Sequence, residues 1–211
     1  VNLELTTGCN LKCRHCYNFW REDPASFKDN IDTQKLDQLL SRIIESEVYH
    51  VVLTGGEPFL NFDVLEYALK KLQAANISTS CNSNLMLTTP ERIERLRNAG
   101  LDHILTSLNS YNAETNDFMM NKPGTLARIL EGIKNTVAGG IRVSANMVVS
   151  APNSDHVYET GRLCAEIGVQ KLFATRLVPA VYAKTISDTE LELRRDEAHR
   201  ALEDLYNVRK D

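Results

Sequence analysis

The chain has 211 residues, 43% of them hydrophobic and 25% charged, with a formal net charge of −4, which suits one globular domain with a sizeable core. That mild negative balance, with no lysine- or arginine-rich run, excludes the electrostatic footprint of a nucleic-acid or anionic-lipid binder. No run of about 18 apolar residues is present to span a membrane, and residues 1–20 lack the basic start and apolar centre of a secretory signal.

The first predicted strand, near 1–6, is reached at once from Val1, and a start without methionine inside "VNLELTT" reads as an excised piece of a longer polypeptide. Further β-branched or apolar runs follow near 48–53, 77–82, 103–107, 142–149 and 171–176. Between them lie segments of helical period. "DTQKLDQLLSRIIESE" carries Asp32 or Thr33 as N-cap; "DVLEYALKKLQAAN" follows, and "TPERIERLRNAG" ends on a Gly100 C-cap. "TLARILEGIKNTVAGG" and "DHVYETGRLCAEIG" also close on glycine, the residue that tolerates the left-handed conformation of a helix stop. The last segment, 187–211, reads as a charged amphipathic helix capped by Ser187 or Asp188, packing across the edge of the fold or leading to a missing domain. Strands alternating with helices imply parallel neighbours, because parallel pairs need a crossover. The expected class is α/β, in one domain over 1–211, with reactive groups at the C-terminal ends of the strands.

Five cysteines are an odd number for a disulfide framework, and free thiols fit a reducing, cytoplasmic setting. Three of them, Cys9, Cys13 and Cys16, crowd the segment "TTGCNLKCRHCYNFW" directly after the first strand, with spacing C-x3-C-x2-C. Such a triad can staple a fold, hold a structural metal or leave a coordination position open. Structural zinc usually takes four protein ligands in two separated pairs, and here there is no second pair. Cys81, in or near the third strand, and Cys164, within a helix, do not supply one, and His15 sits between two of the cysteines. A 4Fe-4S cluster normally takes four thiolates, so three leave one iron open.

"CNLKCRHC" resembles the cluster motif of the radical S-adenosylmethionine (radical SAM) enzymes, with His15 at the position that is usually aromatic. The second signature of that family, "LTGGEP" at residues 53–58, follows the second predicted strand. The resemblance implies a 4Fe-4S cluster on Cys9, Cys13 and Cys16, and S-adenosylmethionine whose methionyl amine meets Gly55, Gly56 and Glu57. Paired glycines permit close backbone approach to a ligand, a carboxylate favours an ammonium, and Pro58 stiffens the exit. It further implies a partial (βα)6 TIM-like barrel of parallel strands with outer helices, covering essentially the whole chain.

Weaker parts of the same resemblance add Ser107 and Asn109 from "SLNS", which could equally serve a turn or a cap. Asn82 falls where many relatives have Thr-Asn-Gly, although Ser83 replaces the glycine, and Asn146 is a polar residue among apolar neighbours on the fifth strand. Arg176 ends the sixth strand, where a guanidinium holds a carboxylate or makes a surface salt bridge. Met120 and Asn121 stand where peptide-modifying relatives carry Arg-Gly, leaving Lys122 or Arg128 as stand-ins, with Met119 and Met120 as packing or pocket lining. Phe19 and Trp20 either cover the cluster or simply pack. The remaining histidines, His50, His103, His156 and His199, have no metal-ligand spacing and read as surface or strand-end residues.

The implied activity is reductive cleavage of S-adenosylmethionine to a 5′-deoxyadenosyl radical that abstracts hydrogen, with a peptide or protein as substrate and a reductase or flavodoxin-type protein as electron donor. The rival readings are a small-molecule enzyme of the molybdenum-cofactor-synthesis type, a non-catalytic iron–sulfur module and a purely structural α/β domain.

Overall fold

Six short strands share one wholly parallel sheet: β1 (Asn2–Glu4), β2 (His50–Thr54), β3 (Ser78–Asn82), β4 (His103–Ser107), β5 (Arg142–Val149) and β6 (Lys171–Arg176). The structure is a computed structural model that describes residues 1–18, 31–177 and 189–209. Strand order follows chain order from β1 to β6, and the sheet is left open at both ends. Every crossover carries at least one helix, and the first, which the described residues cover only in part, carries α1. The helices are α1 (Thr33–Glu45), α2 (Phe62–Ala74), α3 (Pro90–Asn98), α4 (Ala113–Met120), α5 (Thr125–Ala138), α6 (Val157–Glu166) and α7 (Arg195–Val208).

Register explains how the sheet separates a structural face from a chemical one. Leu3, Leu53, Cys81, Ile104 and Val143 are paired in turn across five strands and are all buried. This row packs on Leu36 and Leu40 of α1, Leu65, Leu69 and Leu72 of α2, Ile93 and Leu96 of α3, and Ile129 and Ile133 of α5 in one core. Each fully buried leucine or isoleucine adds about 1.5–3 kcal/mol. Because side chains alternate along a strand, the intervening residues, among them Asn82, Ser107 and Asn146, face the other way. That inner face is polar towards its C-terminal end.

The α/β architecture and all six strands stand where the sequence places them, the first being shorter than expected. Asp32 is the cap of α1, accepting from the amides of Gln34 and Lys35 at 2.7 and 3.3 Å. Gly100, Gly140 and Gly168 take positive φ just past α3, α5 and α6, as their stop roles require. α2 stops without glycine, on Asn76 at φ 56°.

Two differences matter. The sequence reading has no helix at 113–120, yet α4 forms there, capped by the Asn112 side chain on the Thr115 amide at 3.1 Å and stopped by left-handed Asn121. The final helix starts at Arg195 rather than near 187, after a 3₁₀ turn at Thr189–Leu191, because Glu197 reaches back to the Arg194 amide at 2.8 Å and sets the start there. Ser187 and Asp188 lie outside the described residues. α7 lies on α6, where Gly161 gives room for Val208; a Cβ on Gly161 would stand 2.6 Å from Val208 Cγ1.

Candidate functional site

The C-terminal ends of β1 to β5 converge on one cavity of about 340 Å³, within the range of small-ligand sites. Its walls come from three loops and two strand ends. After β1 the chain turns on the Thr6 hydroxyl, which accepts from the Gly8 amide at 3.0 Å, and Leu11 is driven into the core at 3% exposure. Cys9, Cys13 and Cys16 all line the cavity, as does His15. Cys9 is exposed, Cys13 and Cys16 are half-buried, and none of the five cysteines is in a disulfide, which rules out the staple.

The other two thiols are unsuited to metal. Burial pushes Cys81 well above the ordinary thiol range, with the nearby Glu57 charge adding to it, and pushes Cys164 up to about 12. Both sit among the packed helices and stay protonated. Among the described residues no three ligating side chains are gathered on a single ion site. A cluster takes each thiolate at a different iron, so three separated thiols around one cavity suit a cluster better than zinc.

The cysteine loop is seated on α4. The Arg14 amide donates to the Met119 carbonyl at 3.0 Å, its guanidinium lies 4.0 Å from the centre of the Phe118 ring, and it pairs with Glu190 at 3.5 Å. The Cys13 thiol donates to Met120 Sδ at 3.6 Å.

The loop after β2 is clamped to the cysteine loop. The Gly56 amide donates to Thr6 O and the Glu57 amide to Gly8 O, both at 2.8 Å. A Cβ on Gly55, whose φ is +139°, would stand 2.3 Å from Thr6 O, and one on Gly56 2.1 Å from Gly8 O. The sequence assigns this freedom to ligand approach. In the structure it serves first the approach of two backbones, although both glycines also line the cavity.

Glu57 corrects a second expectation. It is 1% exposed, and its carboxylate accepts from the Phe59 amide (3.0 Å), the Ser83 hydroxyl (2.8 Å) and the Asn84 amide (2.8 Å). Burial pushes the carboxyl above its ordinary value, although these three bonds pull the other way. A carboxylate so committed has little left for an ammonium. Instead it ties the β2 loop to the β3 loop, and the Asn84 side chain extends the tie to Asn10 at 2.8 Å. Ser83, the departure from the expected glycine, is the hydroxyl that serves Glu57. Pro58, itself buried, opens a 3₁₀ turn at Pro58–Asn61 and does not line the cavity, so its part is to stiffen the exit.

Asn82, Ser107 and Asn146 line the wall as expected, and Asn146 Oδ1 accepts from Thr175 at 3.2 Å. Three expectations fail on position. Asn109 is fully buried behind the wall, where its Oδ1 accepts from the Val148 amide at 3.0 Å and its Nδ2 donates to Met120 Sδ at 3.4 Å. Arg176 is exposed at the end of β6 and does not line the cavity. Lys122 and Arg128 are likewise exposed and away from it, while Met120 lines it. Phe19, Trp20 and the proline after Arg176 lie outside the described residues. Thr7, Thr54 and Asn84, which line the cavity, are missed by the sequence reading. Thr54 could have been found by extending the strand alternation one step past Val52.

Three of the histidines bind serines: His50 meets Ser78 and Ser80 at 3.1 and 2.9 Å, His103 meets Ser144 at 2.9 Å, and His156 meets Ser110 at 2.8 Å. His50 and His103 begin their strands, at the end opposite the cavity.

Comparison with known proteins agrees with this geometry. The chain is 32% identical over 177 residues to the AdoMet-dependent heme synthase of Methanosarcina barkeri, covering 83% of this chain and 50% of that protein. It is 26% identical over 180 residues to the GTP 3′,8-cyclase of Aquifex aeolicus, covering 82% of this chain and 55% of the cyclase. The chain thus spans about half the length of these relatives. Among solved structures, Streptococcus suis SuiB bound to precursor peptide SuiA superposes with a TM-score of 0.78 at 19% identity, covering 99% of this chain and 46% of SuiB. That likeness concerns the fold, a partial barrel of parallel strands. The radical SAM superfamily pattern itself matches residues 3–164, a span holding the cysteine loop, its clamp and the cavity wall, and by this match the chain belongs to the radical SAM superfamily.

Proposed function

We propose that Cys9, Cys13 and Cys16 hold a 4Fe-4S cluster in this cavity, that S-adenosylmethionine binds beside it, and that the chain is the core of an enzyme that abstracts hydrogen from its substrate. The observation that carries the reading is the clamp: the accessible thiols and the Gly55–Glu57 loop are joined backbone to backbone on one cavity wall. When bound, the pair supplies one-electron reductive cleavage of S-adenosylmethionine and a carbon radical that takes a hydrogen atom from substrate.

The chain's own residues bind and orient. The three thiols would give up their protons as ligands, and they line the cavity from one loop pinned at Thr6, Leu11 and Arg14. With the Glu57 carboxylate held by Phe59, Ser83 and Asn84, the backbone of Gly55 and Gly56 would hold the ammonium end of the cofactor. Asn82, Ser107 and Asn146 would offer polar side chains to its ribose and carboxylate, with His15 between Cys13 and Cys16. The polar wall orients the cofactor while the packed outer face of the sheet keeps the rest of the fold rigid.

For the substrate we propose a peptide or protein, which the open edges of the sheet at β1 and β6 would admit as an extended chain. A small-molecule substrate is the second reading, favoured by the sequence identity to the heme synthase and the GTP cyclase. A flavodoxin-type protein or reductase would deliver the electron. Five cysteines without a disulfide fit a cytoplasmic setting.

The test is anaerobic reconstitution with iron and sulfide, then reduction with S-adenosylmethionine and assay for 5′-deoxyadenosine. Cluster-loaded protein that never forms this product would sink the enzyme reading. Cys13→Ala should abolish cluster assembly and Cys164→Ala should not; equal iron loss in both refutes the ligand assignment. Deuterated candidate peptides and deuterated tetrapyrroles then separate the two substrate readings by which one passes deuterium into 5′-deoxyadenosine.

A further inference from the structure

We infer that Met120 is a positioning residue for the cysteine loop: it sets a thioether sulfur, rather than a hydrogen-bond donor, against Cys13, and so keeps the reduction potential of the bound cluster low. The inference rests on the cluster assignment above. Met120 is the last residue of α4, is fully buried, lines the cavity and has its Sδ 3.6 Å from Cys13 Sγ. Methionine is ordinarily the most adaptable of core side chains. Here its sulfur is pinned, because Asn109 Nδ2 donates to it at 3.4 Å.

Asn109 is itself held at every polar atom. Its Oδ1 accepts from the Val148 amide at 3.0 Å, its amide donates to Asn116 Oδ1 at 3.1 Å, and its carbonyl accepts from Asn153 Nδ2 at 2.8 Å. Three buried asparagines thus fix one methionine sulfur. An interior that needed only to fill space beside Cys13 could use leucine without this network.

The chemistry follows from what a thioether can and cannot do. In the metal-free protein the Cys13 thiol donates to Met120 Sδ. Once Cys13 is a thiolate ligand it has no proton to give, and Met120 faces it with an acceptor-only atom. Hydrogen-bond donors directed at cluster sulfurs stabilise the added charge of the reduced state and raise the potential. Met120 offers none, and by accepting from Asn109 it also occupies the amide N–H that lies next in line.

The test compares Met120→Gln, which has similar length and brings an N–H donor, with Met120→Leu, which has similar volume and no sulfur. After anaerobic reconstitution, iron and sulfide per chain are counted and the midpoint potential is read by spectroelectrochemistry with electron paramagnetic resonance. Met120→Leu should load as the wild type does, with a potential close to it, and Met120→Gln should shift to a more positive potential. An unshifted or more negative Met120→Gln overturns the inference, as does an equal shift in both variants, which would leave Met120 a packing residue only.

A second measurement needs no cluster. In the metal-free protein, iodoacetamide labelling mapped by mass spectrometry should show Cys13 of Met120→Leu reacting several-fold faster than in the wild type, with Cys9 unchanged. Equal Cys13 rates overturn the positioning role. Wild-type protein that takes up no iron at all would mark failure of the cluster assignment instead.

Discussion

Replacing Gly56 by alanine isolates the clamp between the two signature loops. Gly56 does not take positive φ, so alanine carries no backbone penalty of its own there. The entire cost comes from its methyl group, which would stand 2.1 Å from Gly8 O, 2.6 Å from Gly8 C and 2.7 Å from Thr7 O, all backbone atoms that cannot swing aside. Relieving the overlap pushes the cysteine loop away and breaks the two amide bonds from Gly56 and Glu57. Two such bonds are worth about 1 kcal/mol each net, and forced overpacking adds about 1–3 kcal/mol, so the expected loss is about 3–5 kcal/mol. Gly124→Ala is the control: nothing lies within 4 Å of its Cβ, and only φ +74° costs, about 1 kcal/mol. Urea denaturation of both variants and iron per chain after reconstitution provide the assay. Gly56→Ala should show the larger fall in midpoint and a several-fold loss of iron, while Gly124→Ala loads normally. A Gly56→Ala protein matching Gly124→Ala in both would refute the clamp.

Asp117 supplies a pH-dependent share of stability. Burial pushes its carboxyl up, but the Thr125 hydroxyl and the amides of Leu126, Gly124 and Thr125 outweigh this and hold it below its ordinary 3.8. A depressed folded value gives stability that is present above the unfolded value and lost as pH falls through the folded one. Asp117→Asn should therefore cost about 1 kcal/mol at neutral pH, with the gap to wild type closing below about pH 4 in urea titrations run at successive pH values; a gap that persists in acid contradicts the charge-based account. Thr106, 1% exposed in β4, has a buried hydroxyl that meets no hydrogen-bond partner among the described residues. Thr106→Val should raise the urea midpoint by the equivalent of about 1 kcal/mol with an unchanged slope, and a lowered midpoint would show that the hydroxyl has a partner.

The strands were legible because each is a short apolar run closed by a turn residue, and parallel pairing follows from the helices between them. The polar wall was legible in part for the same reason: Asn82 and Asn146 stand out against Cys81, Ala145 and Met147, their outward-facing neighbours. α4 was not legible. Its sequence, "AETNDFMM", has no apolar stripe at helical spacing, and it is held by tertiary contacts to the cysteine loop rather than by its own pattern. Asn109 was misplaced because it lies just beyond the end of β4, where strand alternation no longer says which way a side chain points. Arg176 pairs with Val149, six residues on from outward-facing Val143, so strand alternation puts it on the outward face rather than on the cavity side. Glu57 illustrates a different limit: residue type and position were right for the cavity, and only the distances to Ser83 and Asn84 reveal that its carboxylate serves the scaffold.

The seat of the cysteine loop carries a consequence for the order of assembly. Cys13 and Met120 are separated by 107 positions in the chain. During vectorial synthesis the thiols emerge long before their seat, and the shelf that receives them exists only after β4 and α4 have been added. Until then the loop has at most its clamp to the β2 loop and lacks its seat on α4. A contact of such long range is won late in folding, because the intervening chain must first be ordered. Metal loading into a formed site is therefore expected to follow folding, and nascent chains arrested before residue 113 should take up iron no better than a denatured peptide.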